Sequence, residues 1–119
     1  MRGFLYFCDL YNCRNILTGD ALREAAVKAI RKAGMQEVDR LFGHFPEHVH
    51  RTEHGDSVLT LIVPLEQSHL SIHTWPHYRL VSIDLFTCGD RDDARRAIGY
   101  LMELFDPQRK QIHGFRRGL

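Results

Sequence analysis

The stretch LEQSHLSIHTWPHYRLVSIDLFTCGD, residues 65–90, decides the fold. It reads as two short strands, residues 69–75 and 80–88, joined by a turn that contains Pro76. In the second strand the pleat sends Val81, Ile83, Leu85 and Thr87 to one face and Ser82, Asp84, Phe86 and Cys88 to the other. Cys88 therefore shares a polar face, beside Gly89, which permits close backbone approach. Ser68 and His73 stand five residues apart, and strict alternation sends them to opposite faces. A Ser–His pair within this hairpin thus requires a kink at the start of the strand, where Pro64 and the polar Glu66-Gln67-Ser68 permit one, or an assembly across neighbouring strands.

Outward from the hairpin, residues 57–65, SVLTLIVPL, form the most apolar run and the expected central strand, broken by Pro64. Residues 3–11, GFLYFCDLY, have the aromatic and apolar content of a first strand. Leu22, Ala26, Ala29, Ile30 and Ala33 recur at helical spacing behind a Thr18 or Asp20 cap, and Gly34 stands where a left-handed C-cap belongs. Residues 36–45 read as a weaker strand, and the polar EHVHRTEHGD that follows Pro46 reads as a loop turning at Gly55-Asp56. Asp90, Asp92 and Asp93 open a second helix whose buried face is Ala94, Ala97, Ile98, Leu101, Leu104 and Phe105; Pro107 ends it. Residues 110–115, KQIHGF, form a last short strand. Two helices set among antiparallel strands predict a single α+β domain over residues 1–119, with one sheet covered by helices on one face. The other face stays open and invites a second subunit.

The chain has 16 Lys+Arg against 15 Asp+Glu, a formal charge of +1, which gives no general electrostatic case for nucleic acid or an anionic membrane. No apolar run approaches a membrane span, and the opening MRGFLYFCDLYNCRN lacks the features of a signal peptide. Cys8, Cys13 and Cys88 have no metal-motif spacing. These features predict a cytoplasmic protein with reduced thiols. His44, His48, His50 and His54 fix no tetrahedral set and read as solvated side chains of a polar loop, so no metal is expected.

The run QSHLSIHTWPHY followed by SIDLFTCGD resembles the signature of the pyruvoyl-dependent S-adenosylmethionine decarboxylases of bacteria and archaea, E-S-H-[LI]-[ST]-I-H-T-[WY]-P-E with D-[LV]-[FY]-T-C-G about a dozen residues on. The match is dense over residues 67–89 and extends more loosely over most of the chain. Members of that family are proenzymes that cut themselves before the motif serine. The resemblance implies that Ser68 Oγ attacks the carbonyl of Gln67, that His73 removes the Ser68 α-proton from the resulting ester, and that hydrolysis leaves a pyruvoyl group on the new chain 68–119. The pyruvoyl ketone would take up the substrate amine and accept the electrons released with carbon dioxide. Cys88 corresponds to the cysteine that returns a proton to the substrate carbon, and Thr60 to a serine that assists processing. Phe45, by likeness of FGHF to F-H-R-F, is the residue stacking on adenine; Trp75 and His77 complete the implied substrate contacts. The resemblance also implies a homodimer, two sheets face to face in a four-layer α/β/β/α assembly with each site near the interface.

Three departures bear on the substrate. His77 stands where the family has a glutamate that grips the ribose hydroxyls, and an imidazole cannot reproduce a bidentate carboxylate. Gln67 replaces a glutamate before the cut, which removes a charge but keeps the carbonyl. The loop after Phe45 is long. The same chemistry on arginine or ornithine is therefore one rival. An unprocessed binding or regulatory protein that keeps Ser68 as serine is the other.

Overall fold

The computed structural model describes residues 2–17, 19–38, 47–51 and 57–118. Strands β1 (Arg2–Tyr11), β2 (Glu47–Arg51), β3 (Ser57–Leu65), β4 (Ser68–Trp75), β5 (Leu80–Thr87) and β6 (Arg109–Gly118) form one sheet in the order β2-β3-β4-β5-β1-β6. Every neighbouring pair is antiparallel. Helices α1 (Gly19–Lys32) and α2 (Arg91–Phe105) cover one face of it. The helix-facing positions alternate with the pleat, as Leu59, Leu61, Val63 and Leu65 on β3, Leu70, Ile72 and Thr74 on β4, and Val81, Ile83, Leu85 and Thr87 on β5 are all buried. Against them pack Leu22, Ala26 and Ile30 of α1 and Ala94, Ala97, Leu101 and Phe105 of α2.

Helix α2 starts where the aspartates predict. The Asp90 side chain accepts from the amides of Asp92 (2.7 Å) and Asp93 (3.2 Å), a cap worth ~1 kcal/mol. Gly34, two residues past α1, has φ of 96°, as its place at the C-terminus requires. The turn between β4 and β5 is a single 3-10 turn, Pro76–Tyr78, closed by Arg79 at φ of 51°.

Four expectations need correction. Glu47–Arg51, read as loop, is strand β2, pairing His48 with Thr60 and His50 with Val58. As an edge strand it has a neighbour on one side only and need not carry an apolar face. Pro64 does not break β3, which runs on to Leu65. A proline contributes only an acceptor, and that is all it is asked for, since its carbonyl takes the amide of Val38 at 2.9 Å. Of the expected strand 36–45, the described part forms one bridge, Glu37 to Leu65, and residues 39–46 lie outside the described residues. The last strand is ten residues long rather than six because β1 offers it a full-length edge. Thr18 lies outside the described residues, and Asp20 sits within the first turn of α1, paired with Arg23.

The Glu37 side chain is buried and paired with Arg31 of α1, whose hydrogen bond holds its carboxyl below the usual range. This ion pair anchors the 36–38 segment, and the Gln36 carbonyl in turn accepts the Glu66 amide at 2.9 Å. The β3–β4 turn is thereby tied to helix α1.

Among the described residues neither helix covers the other face of the sheet. Phe7 stacks there on His113 (5.1 Å) and Phe115 (5.7 Å), and Ile62 and Phe115 are exposed. Ser82 donates to Asp9 (2.7 Å) on the same face. No helix among the described residues is long and apolar enough to cross a membrane.

Candidate active site

Leu65 pairs with Ser68, so Glu66 and Gln67 alone make the β3–β4 turn. So short a reversal puts Gln67 in the left-handed region, φ of 58°, which costs a residue with a side chain about 1–2 kcal/mol. The Gln67 carbonyl accepts the amide of Cys88 at 2.7 Å. Next to it the Ser68 hydroxyl donates to Thr87 Oγ1 at 2.7 Å, and the Gly89 amide donates to the same oxygen at 2.8 Å. A side chain at Gly89 would bring its Cβ to 3.2 Å from Gln67 Oε1 and 3.3 Å from Thr87 Oγ1, so the missing Cβ lets the bend close on the turn. Glu66, Gln67, Ser68, Thr87, Gly89 and Asp90 are among the residues lining a cleft of about 190 Å³.

A second cluster forms on the uncovered face. Thr60 of β3 lies opposite His73 of β4, and Thr60 Oγ1 is 3.0 Å from His73 Nδ1. The Trp75 ring stacks on the same imidazole at 5.9 Å. His77, in the 3-10 turn beyond, is exposed and meets the Tyr78 ring edge-on at 5.2 Å.

Alternation along β4 is unbroken, with Leu70, Ile72 and Thr74 buried and the residues between them not. Ser68 therefore points to the helix side and His73 to the uncovered side. Five strand residues separate them by roughly 16 Å. Neither the kink nor a cross-strand pairing of the two exists within one chain. Instead the fold brings Gln67, Ser68 and Cys88 together at one end of the hairpin, and Thr60, His73 and Trp75 together further along it. Cys88 lies one residue past β5, which ends at Thr87, in the bend that follows, and it is exposed. Phe45, His44 and His54 lie outside the described residues.

The three thiols are sorted by environment. Cys8 and Cys13 are buried and Cys88 is exposed, with no disulfide among them. Burial pushes the Cys8 thiol up to about 12, with the Asp9 and Asp84 carboxylates adding to the rise, and burial raises Cys13 as well. Both stay protonated and inert at neutral pH. Only Cys88 stands where chemistry is accessible.

Thr87 had no role in the sequence reading, whereas the close approach expected at Gly89 is present, its amide donating to Thr87 Oγ1. The register was the available signal: counting outward from Trp75 opposite Leu80 sets Thr87 opposite Ser68.

A family model described as S-adenosylmethionine decarboxylase matches residues 5–118 of this chain. The S-adenosylmethionine decarboxylase proenzyme of Aquifex aeolicus is 32% identical over 115 residues, 93% of this chain and 78% of that protein. The proenzyme of the same name from Archaeoglobus fulgidus is 32% identical over 112 residues, 92% of each. That of Thermomicrobium roseum is 34% identical over 111 residues, 93% of this chain and 89% of its own. The crystal structure of the adenosylmethionine decarboxylase from Aquifex aeolicus superposes with a TM-score of 0.79 at 28% identity, covering 98% of this chain and 91% of that one.

Proposed function

This chain belongs to the S-adenosylmethionine decarboxylase family, and from that premise we propose that residues 1–119 are one self-processing unit, cut between Gln67 and Ser68, that decarboxylates S-adenosylmethionine in the cytoplasm for polyamine synthesis. The observation that carries the proposal is the 2.7 Å hydrogen bond from the Cys88 amide to the Gln67 carbonyl. A backbone donor aimed at a carbonyl stabilises the negative charge that oxygen gains under nucleophilic attack. The adjacent residue supplies the nucleophile, Ser68 Oγ, and Gln67 φ of 58° adds backbone strain at the bond to be broken.

These residues fit the making of a pyruvoyl group from Ser68. Once formed, the group supplies an electron sink for the carbon dioxide-releasing step. The remaining roles belong to side chains. His73 takes the α-proton of Ser68. Donation of Nδ1–H to Thr60 Oγ1, 3.0 Å away, would leave Nε2 as the basic nitrogen. In turnover the exposed Cys88 thiol delivers a proton to the substrate carbon.

Because His73 lies roughly 16 Å along the strand from Ser68, we assign it to the site of a second copy. A homodimer pairing the uncovered faces would set Thr60, His73 and Trp75 of one protomer beside Ser68 and Cys88 of its partner. The α-carbon belongs to the sheet itself, so a base can reach it from the uncovered side while the hydroxyl is held on the helix side. The exposed Ile62 and Phe115 and the Phe7–His113–Phe115 stack would be buried in that contact.

The substrate is tested by carbon dioxide release from S-adenosylmethionine, arginine and ornithine. S-adenosylmethionine should be turned over. His77→Glu should raise its kcat/KM about tenfold or more by restoring a charged acceptor for the ribose hydroxyls, worth ~1.5–3 kcal/mol. Turnover of arginine or ornithine with none of S-adenosylmethionine would overturn the substrate and leave the pyruvoyl chemistry standing.

A further inference from the structure

We propose that Thr87 is a positioning residue of self-processing, holding the Ser68 hydroxyl for its attack on the Gln67 carbonyl; the inference rests on the self-cleavage proposed above. Thr87 is 1% exposed, at the last position of β5, and its side chain shares the helix-facing side with that of Ser68. Two donors converge on its oxygen, the Ser68 O–H at 2.7 Å and the Gly89 N–H at 2.8 Å. A hydroxyl oxygen has two acceptor lone pairs, and here both are used. When Ser68 donates, the Thr87 proton points away from it and the Ser68 hydroxyl is held at 2.7 Å from Thr87 Oγ1.

An ordinary Ser–Thr contact across a sheet is a cross-strand hydrogen bond and needs no further partner. What separates this one from such a contact is the way three consecutive residues divide the work. The Thr87 side chain holds the nucleophile, the Cys88 amide holds the carbonyl under attack, and the Gly89 amide holds Thr87. The bend that carries them closes tightly on the turn, since a Cβ at residue 89 would lie 3.2 Å from Gln67 Oε1 and 3.3 Å from Thr87 Oγ1. Nucleophile and electrophile are thus indexed to one rigid segment rather than to each other.

The step served is an acyl shift. Ser68 Oγ bonds to the Gln67 carbonyl carbon, the Gln67–Ser68 C–N bond breaks, and the hydroxyl proton ends on the freed Ser68 nitrogen. Thr87 exchanges no proton with the reaction. Its contribution is orientation, and misplacing a reacting atom by about 1 Å costs about a hundredfold in rate.

The test follows freshly synthesised chains in cell-free translation, comparing wild type, Thr87→Val and Thr87→Ser by intact mass over time. Valine keeps the shape and removes the acceptor; serine keeps the acceptor and removes the methyl. Thr87→Val should cut about a hundredfold more slowly, while Thr87→Ser should stay within a few-fold of wild type. Hydroxylamine, which cleaves an ester at Ser68 and leaves the peptide bond intact, reads the affected step. Uncut Thr87→Val should release little fragment, because the ester has not formed. Three outcomes overturn the proposal alone: Thr87→Val cutting at the wild-type rate, Thr87→Ser cutting as slowly as valine, or hydroxylamine releasing abundant fragment from uncut Thr87→Val. A wild-type chain that never cuts overturns the parent reading and this one with it.

Discussion

Ser68→Ala chains and His73→Ala chains, each uncut when made alone, should give cut protein when made together. Ser68→Ala removes the only oxygen that can take the acyl group, so nothing in that chain can be cut. His73→Ala keeps the nucleophile and loses the base for the α-proton. Were both groups to act within one chain, the two defects could not help each other. They lie on opposite faces of an unkinked strand, roughly 16 Å apart. In a mixed dimer the intact Ser68 of one chain faces the intact His73 of the other. Random pairing into two-fold dimers places about half of the His73→Ala chains in such a mixed pair, and those are the chains that should be cut. Mass identifies them, since their 68–119 fragment carries the substitution. Complementation that fails under conditions where the dimer forms would return the base to the same chain, and β4 would then have to bend.

Cys88→Ala should have an effect of the opposite kind, with normal cutting followed by a turnover about 10²–10⁴-fold slower. The two roles assigned to this residue reside in different atoms. Its amide, on the Gln67 carbonyl at 2.7 Å, survives in alanine. Its thiol does not, and neither Cys8 nor Cys13 can replace it, being buried and held protonated. With the pyruvoyl group formed and the proton donor gone, kcat should fall with KM little changed, the pattern of an interaction made only in the transition state. An uncut Cys88→Ala chain would show that the thiol acts in processing, and undiminished kcat would remove it from proton delivery.

Much of this was legible in the residues. The hairpin is written in alternation, Val81, Ile83 and Leu85 against Ser82 and Asp84, and α2 in its aspartate cap and apolar stripe. Even the separation of Ser68 from His73 is contained in the odd spacing between them. Strand β2 was hidden because a polar edge strand has no periodic apolar signal to read. Pro64 misled because its effect depends on a neighbour, the 36–38 segment, that asks it only for an acceptor. Thr87 sat inside the matched motif without a role until the register set it opposite Ser68. Pairings between strands depend on turn lengths, and the face that a residue shares with its neighbours follows from them. The pattern of a single strand cannot supply that.

The most direct test of self-processing is the intact mass of the purified wild-type protein under denaturing conditions. The account predicts two chains, residues 1–67 with an ordinary carboxylate and residues 68–119 lighter than the serine-initiated form by one ammonia. A single uncut chain of 119 residues that retains Ser68 would contradict it, and the protein would then be a family member that keeps the scaffold without the chemistry.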